Sequence, residues 1–304
     1  MLRESNPKLE WQSKAILLIV VPWTATNAIL QSLWWARHQP VVAWSAIAIS
    51  VVFGFIVWLL RAGTPAAAAT GTAITATLIF ASTQYPYSYS WLHGLLFPLL
   101  AVFVLTFAAT KAGRTKKEAL GTVESKRGRN AAQVAANLGI SALAAPIVVG
   151  AAQISESARL SSGSDLTVFY VAVAAALAAL AEAAADTVSS EIGQILGGQP
   201  RMLTTFQRVP PGTDGGISLA GTAAGVIAAA IVAILGSKLI LGTWVLAVLA
   251  IPGAVFGLFV DSLLGATLER RGLLNNDAVN FLSTLSATLL VIVEARILFG
   301  HLSL

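Results

Sequence analysis

Apolar runs of roughly twenty residues alternate along this chain with short polar stretches that hold most of its charge. About 20 apolar residues in a helix cross the hydrocarbon core of a bilayer. Nine such spans are predicted, at 15–36, 41–61, 65–84, 91–110, 131–152, 166–185, 217–236, 239–260 and 281–300. No connection between them is long enough to fold by itself. The pattern therefore predicts an all-α, polytopic membrane bundle of about nine transmembrane helices, forming one domain over 1–304. The first span is too long for a cleaved signal peptide, and no small-residue cleavage site follows it. Trp34, Trp35 and Arg37 at its end read as an interfacial anchor.

Composition agrees. The chain is 56% hydrophobic and 11% charged, less than half the roughly 25% charge of soluble domains. A soluble domain, disorder and a collagen-like repeat are excluded. There is no Cys, which rules out disulfides and thiolate metal sites, and His38, His93 and His301 are far apart in sequence. Charge then sets orientation. With the N-terminus in the cytoplasm, only Arg37, Arg159 and Lys238 of the 19 Lys and Arg fall outside, and Arg296 lies within the last span. Such asymmetry is the positive-inside signature. The net charge of +5 is thereby a matter of topology, and nothing indicates nucleic-acid recognition. Thr64-Pro65 suits an N-cap and first helical position. The turn at 85–91 reads as an aromatic belt, and the Ala/Thr/Gly-rich third span is suited to close packing.

Three cytoplasmic loops, 111–130, 186–216 and 261–280, hold the unusual chemistry. The first is strongly basic and suits anionic lipid. From it Asn130, Gln133 and Asn137 run inward on one helical face, either toward an anionic ligand or as a hydrogen-bonded seam between helices. At the second, Glu182 and Asp186 share a face and Glu191 follows. Acids at or within the membrane are costly and mark functional candidates. Carboxylates where a helix exits can hold Mg²⁺, which takes oxygen ligands. The alternative is a structural pair, neutralised by Arg201 or Arg208 or protonated. The same loop ends in VPPGTDGGIS, residues 209–218. It reads either as a Gly-rich anion site at a helix N-terminus or as a capped turn with Thr213 or Asp214 as N-cap. Gly221 and Gly225 are expected to serve packing. The third loop begins at Asp261, placed on its span as Asp186 is on the sixth, and Asn275-Asn276-Asp277 reads as a turn with an N-cap or as a nucleotide contact.

The strings DTVSSEIG (186–193), TTFQRVPPGTDGGIS (204–218), DSLLGATLE (261–269) and LNNDAVN (274–280), in this order, resemble the integral membrane family of domain of unknown function ninety-two. The resemblance covers roughly residues 40–300, and Lys116-Lys117-Glu118-Ala119 with LNNDAVN is closer to its plant phytyl-phosphate kinase branch. It implies phosphorylation of a prenyl monophosphate, phytyl or geranylgeranyl, to the diphosphate by a nucleoside triphosphate, with CTP favoured. The parts match what phosphoryl transfer needs, namely metal, cations and positioning. The roles then implied are these. Asp186, Glu191 and Asp261 hold Mg²⁺, with Asp214 as a further candidate ligand. Gly212, Thr213, Gly215, Gly216 and Ser218 cradle phosphate. Lys116, Lys117, Arg129 and Arg208 neutralise its charge, while Asn275, Asn276 and Asn280 position nucleotide or substrate. The prenyl tail is expected between helices, along the third span.

A transporter or lipid-phosphate flippase is the competing reading. It is disfavoured because the polar residues gather at one membrane face, whereas alternating access places them at the midplane. A CDP-alcohol phosphotransferase would need a multi-Asp run that this chain lacks. With no transit peptide visible, a prokaryotic cytoplasmic membrane is the expected location.

Overall fold

The computed structural model describes residues 7–83, 94–122, 128–146 and 163–299. A single turn of 3₁₀-helix at Pro7–Leu9 leads into α1 (Glu10–His38), followed by α2 (Pro40–Leu59), α3 (Pro65–Ser82), α4 (Leu96–Lys111), α5 (Arg114–Leu120) and α6 (Ala131–Ala144). The second half holds α7 (Gly163–Leu196), α8 (Leu219–Leu241), α9 (Val245–Leu264) and α10 (Asn276–Phe299). Between α7 and α8 lies a small hairpin whose strands β1 (Arg201–Met202) and β2 (Gly216–Ile217) pair antiparallel.

Seven of the described helices are long and apolar enough to cross a membrane, and α4 with α5, bent by 63°, makes an eighth. Helix α6 is apolar too, and runs toward residues 147–162, outside the described ones. The chain is thus an all-α membrane bundle with its apolar helices in the expected order. The aromatic turn at 85–91, the basic residues Lys126 and Arg127, and Arg159 lie outside the described residues.

The bundle is built around α7. Residues 173–185, VAAALAALAEAAA, are buried without a break. Helices α4, α6, α8, α9 and α10 all pack on it. Small side chains let the backbones approach closely, which is what drives helix association in lipid. A Cβ on Gly221 would stand 2.6 Å from the Ser189 carbonyl oxygen, and one on Gly225 2.7 Å from that of Ala185. Both glycines serve packing, as expected. At the periphery α1 and α2 leave Leu18, Trp44, Phe55 and Trp58 exposed, a face suited to lipid.

Several boundaries differ from the sequence expectation. Asp186 and Glu191 lie inside α7, which continues to Leu196, rather than in a loop. Polar residues do not stop a helix, and this one runs on through Gly193 to end where Gly197, Gly198 and Pro200 cluster. Helix α10 begins at Asn276, with the Asn275 side chain accepting from the Ala278 amide at 2.9 Å, so the N-cap alternative for this turn is the one formed. The cap of α8 is Ser218, which accepts from the Gly221 amide at 3.1 Å, and not Thr213 or Asp214. Thr64 does cap α3, with Pro65 at its first position. The basic loop after α4 contains α5, and the bend between them needs Gly113. Its φ is +58°, and a Cβ there would stand 2.6 Å from Cγ1 of Ile195.

Candidate functional site

Three structures meet at one end of the bundle: the acidic faces of α7 and α9, the basic α4–α5 corner, and a stitched turn between α2 and α3. The stitching comes from residues 128–129. The Arg129 amide donates to the Ala62 carbonyl at 3.0 Å, and the Thr64 amide donates to the Arg129 carbonyl at 2.9 Å. This holds the Arg129 side chain over α7, where Nη2 donates to Thr187 Oγ1 at 3.2 Å and the guanidinium is an electrostatic neighbour of Asp186.

The acids divide into two sets. Asp186 on α7 and Asp261 on α9 face each other at hydrogen-bonding range. Glu182, one turn earlier on α7, is fully buried beside Asp186. Among the described residues, Glu182 Oε1 and Asp261 Oδ1 are buried without a hydrogen-bond partner. Glu191 belongs elsewhere: its carboxylate pairs with the Lys117 ammonium at 2.5 Å. Among the described residues no three acidic or His side chains form a ready metal cage. Mg²⁺ does not require one, since it is commonly held by one or two carboxylates plus substrate phosphates and water. Asp186 and Asp261, whose Oδ1 is buried and unpaired, fit that requirement. Glu191 is committed to Lys117.

The basic residues divide as well. Lys117 is 2% exposed, and its Nζ also donates to the Ala109 and Thr110 carbonyls at 2.8 and 3.1 Å. Lys116 reaches the Ile195 carbonyl at 2.6 Å. Each lysine therefore satisfies carbonyls in the last turn of a helix, α4 for Lys117 and α7 for Lys116. Arg208 is exposed on the hairpin, its backbone paired with that of Arg201.

The Gly-rich segment is a packed turn. The Thr213 amide and hydroxyl both donate to the Pro210 carbonyl, the Gly216 amide donates to that of Thr213, and Ser218 caps α8. Gly212 abuts Thr122, and Gly215 abuts the π-helical turn Gly265–Glu269 that ends α9. A Cβ on Gly215, whose φ is +72°, would lie 2.3 Å from the Ala266 nitrogen. Gly215→Ala is therefore expected to lower bundle stability by about 2–3 kcal/mol, the sum of the left-handed backbone cost and the clash. Thermal melting in detergent reads this, and an unchanged melting temperature would show that the turn is not docked on α9.

Of the asparagines, Asn275 is turned to the first helix, donating to the Leu9 carbonyl and to Ser13 Oγ at 2.9 and 3.0 Å. Asn276 opens α10. Asn280 donates weakly to Asn137 Oδ1 at 3.4 Å, and Asn130 and Gln133 cap each other at the start of α6. Asn130 and Gln133 are thus engaged within α6 itself, while Asn137 meets α10 at Asn280 and also lines the cavity between α2, α3, α4 and α6.

That cavity, about 490 Å³, opens between α2, α3, α4 and α6. Its deep wall is apolar and includes Phe53, Val57, Leu99, Val102, Phe103 and Leu138, with Ala67, Ala68 and Gly71 of α3 along one side. Its mouth is cationic, formed by Arg61, Lys111, Arg114 and Arg129. Ala183 of α7 lines it, and Asp186 and Thr187 follow three and four residues later on the same helical face. An apolar sleeve, a ring of cations and a carboxylate pair are therefore contiguous, joined through Arg129. Such a shape accepts an amphiphile with an anionic head. Arg61, Lys111 and Arg114 were not singled out by sequence reasoning, because a positive-inside loop already accounts for basic residues at helix ends.

A family profile described as "Integral membrane protein DUF92" matches residues 48–288. An uncharacterised membrane protein of Methanocaldococcus jannaschii is 40% identical over 109 residues, which are 36% of this chain and 45% of that protein. An uncharacterised membrane protein of Synechocystis is 28% identical over 225 residues, 70% of this chain and 83% of that one. The chloroplastic protein VTE6 of Arabidopsis thaliana is 34% identical over 190 residues, 60% of this chain and 53% of its own length. The chain thus spans about half the length of the archaeal and the chloroplastic relatives. No solved structure matches it.

Proposed function

The chain belongs to the DUF92 family of integral membrane proteins, and from that premise we propose that it is a membrane-embedded prenyl-monophosphate kinase. Its substrate would be phytyl or geranylgeranyl monophosphate and its product the diphosphate, with a nucleoside triphosphate, CTP favoured, as donor. The motif resemblance to the plant phytyl-phosphate kinase branch and the 34% identity to a chloroplastic relative support this direction. The observation that carries it is the cavity: an apolar sleeve whose cationic mouth adjoins two facing carboxylates.

The residues divide the work as follows. The sleeve takes the prenyl tail, which removes apolar surface from contact with the headgroup region and fixes the head at the mouth. Arg61, Lys111 and Arg114 neutralise the monophosphate. Arg129 stands between that phosphate and Asp186, placed to steady charge shared by acceptor and donor phosphates. Asp186 and Asp261 would hold Mg²⁺, which supplies charge neutralisation on the transferring phosphoryl group. An oxygen of the monophosphate attacks the γ-phosphorus of the donor; that P–O bond forms as the bond to the β-phosphate oxygen breaks, and the nucleoside diphosphate leaves. The attacking oxygen is already anionic near neutral pH, so no general base is needed. Positioning and charge carry the catalysis.

The test is to incubate purified protein with geranylgeranyl or phytyl monophosphate, Mg²⁺ and each of CTP, ATP, GTP and UTP, and to follow prenyl diphosphate by mass spectrometry. Product with at least one donor is expected; none with any, from folded protein, overturns the proposal. Within that assay Arg61→Ala is expected to raise KM for the prenyl monophosphate about tenfold while kcat changes by less than about threefold. An unchanged KM would remove Arg61 from the head-binding mouth.

A further inference from the structure

Four glycines line the cavity, Gly54, Gly63, Gly71 and Gly128, and of these only Gly71 has no close neighbour that a side chain would meet. A Cβ on Gly54 of α2 would stand 2.0 Å from Thr72 Oγ1, so this glycine permits α2 and α3 to touch. A Cβ on Gly71 of α3 would meet nothing within 4 Å. Mid-helix glycine is unfavourable relative to alanine, and where no neighbour needs the space another reason is called for. At Gly71 the space left by the missing side chain is cavity.

The depth of this position matters. Phe53 of α2 and Phe103 of α4 meet edge to face, their ring centroids 5.3 Å apart, and so bridge the gap between the two helices. Each precedes the basic residue at its helix end, Arg61 or Lys111, by eight residues, or about 12 Å of helix. Gly71 lies seven residues beyond Thr64, about 10 Å in, next to the level of the aromatic bridge. Leu99, one turn further along α4, also lines the cavity, which therefore continues past the bridge.

We propose that Gly71 sets the chain length this cavity accepts: its missing side chain keeps open the passage by which a long isoprenoid tail runs past the Phe53–Phe103 bridge toward Leu99. A bulky residue at position 71 ends the cavity at the bridge, leaving room for a short tail only. The proposal rests on the kinase reading for the class of substrate, an isoprenoid monophosphate, but its geometry does not depend on turnover.

The test compares geranyl with geranylgeranyl monophosphate, for wild type, Gly71→Phe and Gly71→Leu, in both turnover and equilibrium binding of the radiolabelled monophosphates. Gly71→Ala is the folding control; it meets no neighbour and is expected to melt at or above the wild-type temperature. If wild type is active, Gly71→Phe and Gly71→Leu are expected to lower the geranylgeranyl-to-geranyl ratio of kcat/KM about 100-fold, mostly by loss of the longer substrate. An unchanged ratio in folded protein overturns the role of Gly71 and leaves the kinase intact. If wild type turns over neither substrate, the kinase reading fails, and the binding ratio decides: the same selective loss of geranylgeranyl monophosphate upholds the gauge, and equal binding of both lipids by wild type and variants overturns it.

Discussion

Asp186→Asn is expected to reduce phosphoryl transfer by about 10³-fold or more, equivalent to roughly 4 kcal/mol of transition-state stabilisation, while the bundle remains folded. The two halves of this expectation have separate physical grounds. Asn keeps the size of Asp but carries no charge, so it cannot do the work of a cation-binding carboxylate. Folding is spared because Asp186 faces Asp261 and is also near Glu191. Removing one negative charge from that group relieves repulsion. A melting temperature equal to or above that of wild type, together with lost transfer, is the expected pair of results. Retained transfer would take Asp186 out of the site, and lost transfer with a collapsed melting transition would make the residue structural.

Lys117→Ala is expected to lower stability by about 3 kcal/mol, and this, rather than a kinetic defect, is its main effect. An ammonium has three donors. Those of Lys117 go to Glu191 and to the carbonyls of Ala109 and Thr110. Truncation strands a carboxylate, 16% exposed, and two helix-end carbonyls. Breaking one half of a buried pair costs far more than removing both halves. The double variant Lys117→Met, Glu191→Gln is therefore expected to recover most of the loss, read by melting in detergent. If Lys117 instead held substrate phosphate, Lys117→Ala would keep the wild-type melting temperature and raise KM.

These two residues show how far the sequence reaches. Asp186 and Asp261 were legible because a charged side chain at a membrane helix end is rare enough to stand out. Their mutual approach required α7 and α9 to pack together, which spacing within either segment cannot reveal. The run 173–185 is legible as part of a span by its apolarity, yet the helix's end at Leu196 did not show in hydropathy, since it continues through polar residues and Gly193 until Gly197, Gly198 and Pro200 cluster. Lys116 and Lys117 look alike in sequence. One is exposed on Ile195 and the other buried on Glu191, because the bend at Gly113 turns one side of a short helix inward. The cavity was anticipated only through its Ala/Gly-rich wall on α3. Its basic rim was hidden by an ordinary topological explanation for Arg61, Lys111 and Arg114. The Gly-rich segment carries the look of a phosphate cradle, whereas its Thr213 and Gly216 amides are held within the turn itself.

The central claim is that the cationic mouth and the carboxylate pair form one site that moves a phosphoryl group onto a prenyl monophosphate at the cytoplasmic face. The most direct measurement uses proteoliposomes containing geranylgeranyl monophosphate, with CTP labelled in its γ-phosphate supplied outside and Mg²⁺ present. The orientation of the protein in the liposomes is read by protease protection of the α4–α5 corner. Label is expected in the terminal phosphate of geranylgeranyl diphosphate, only in vesicles whose α4–α5 corner faces outward, and none with Asp186→Asn. Label that reaches inorganic phosphate alone, or prenyl diphosphate formed equally in both orientations, would contradict it.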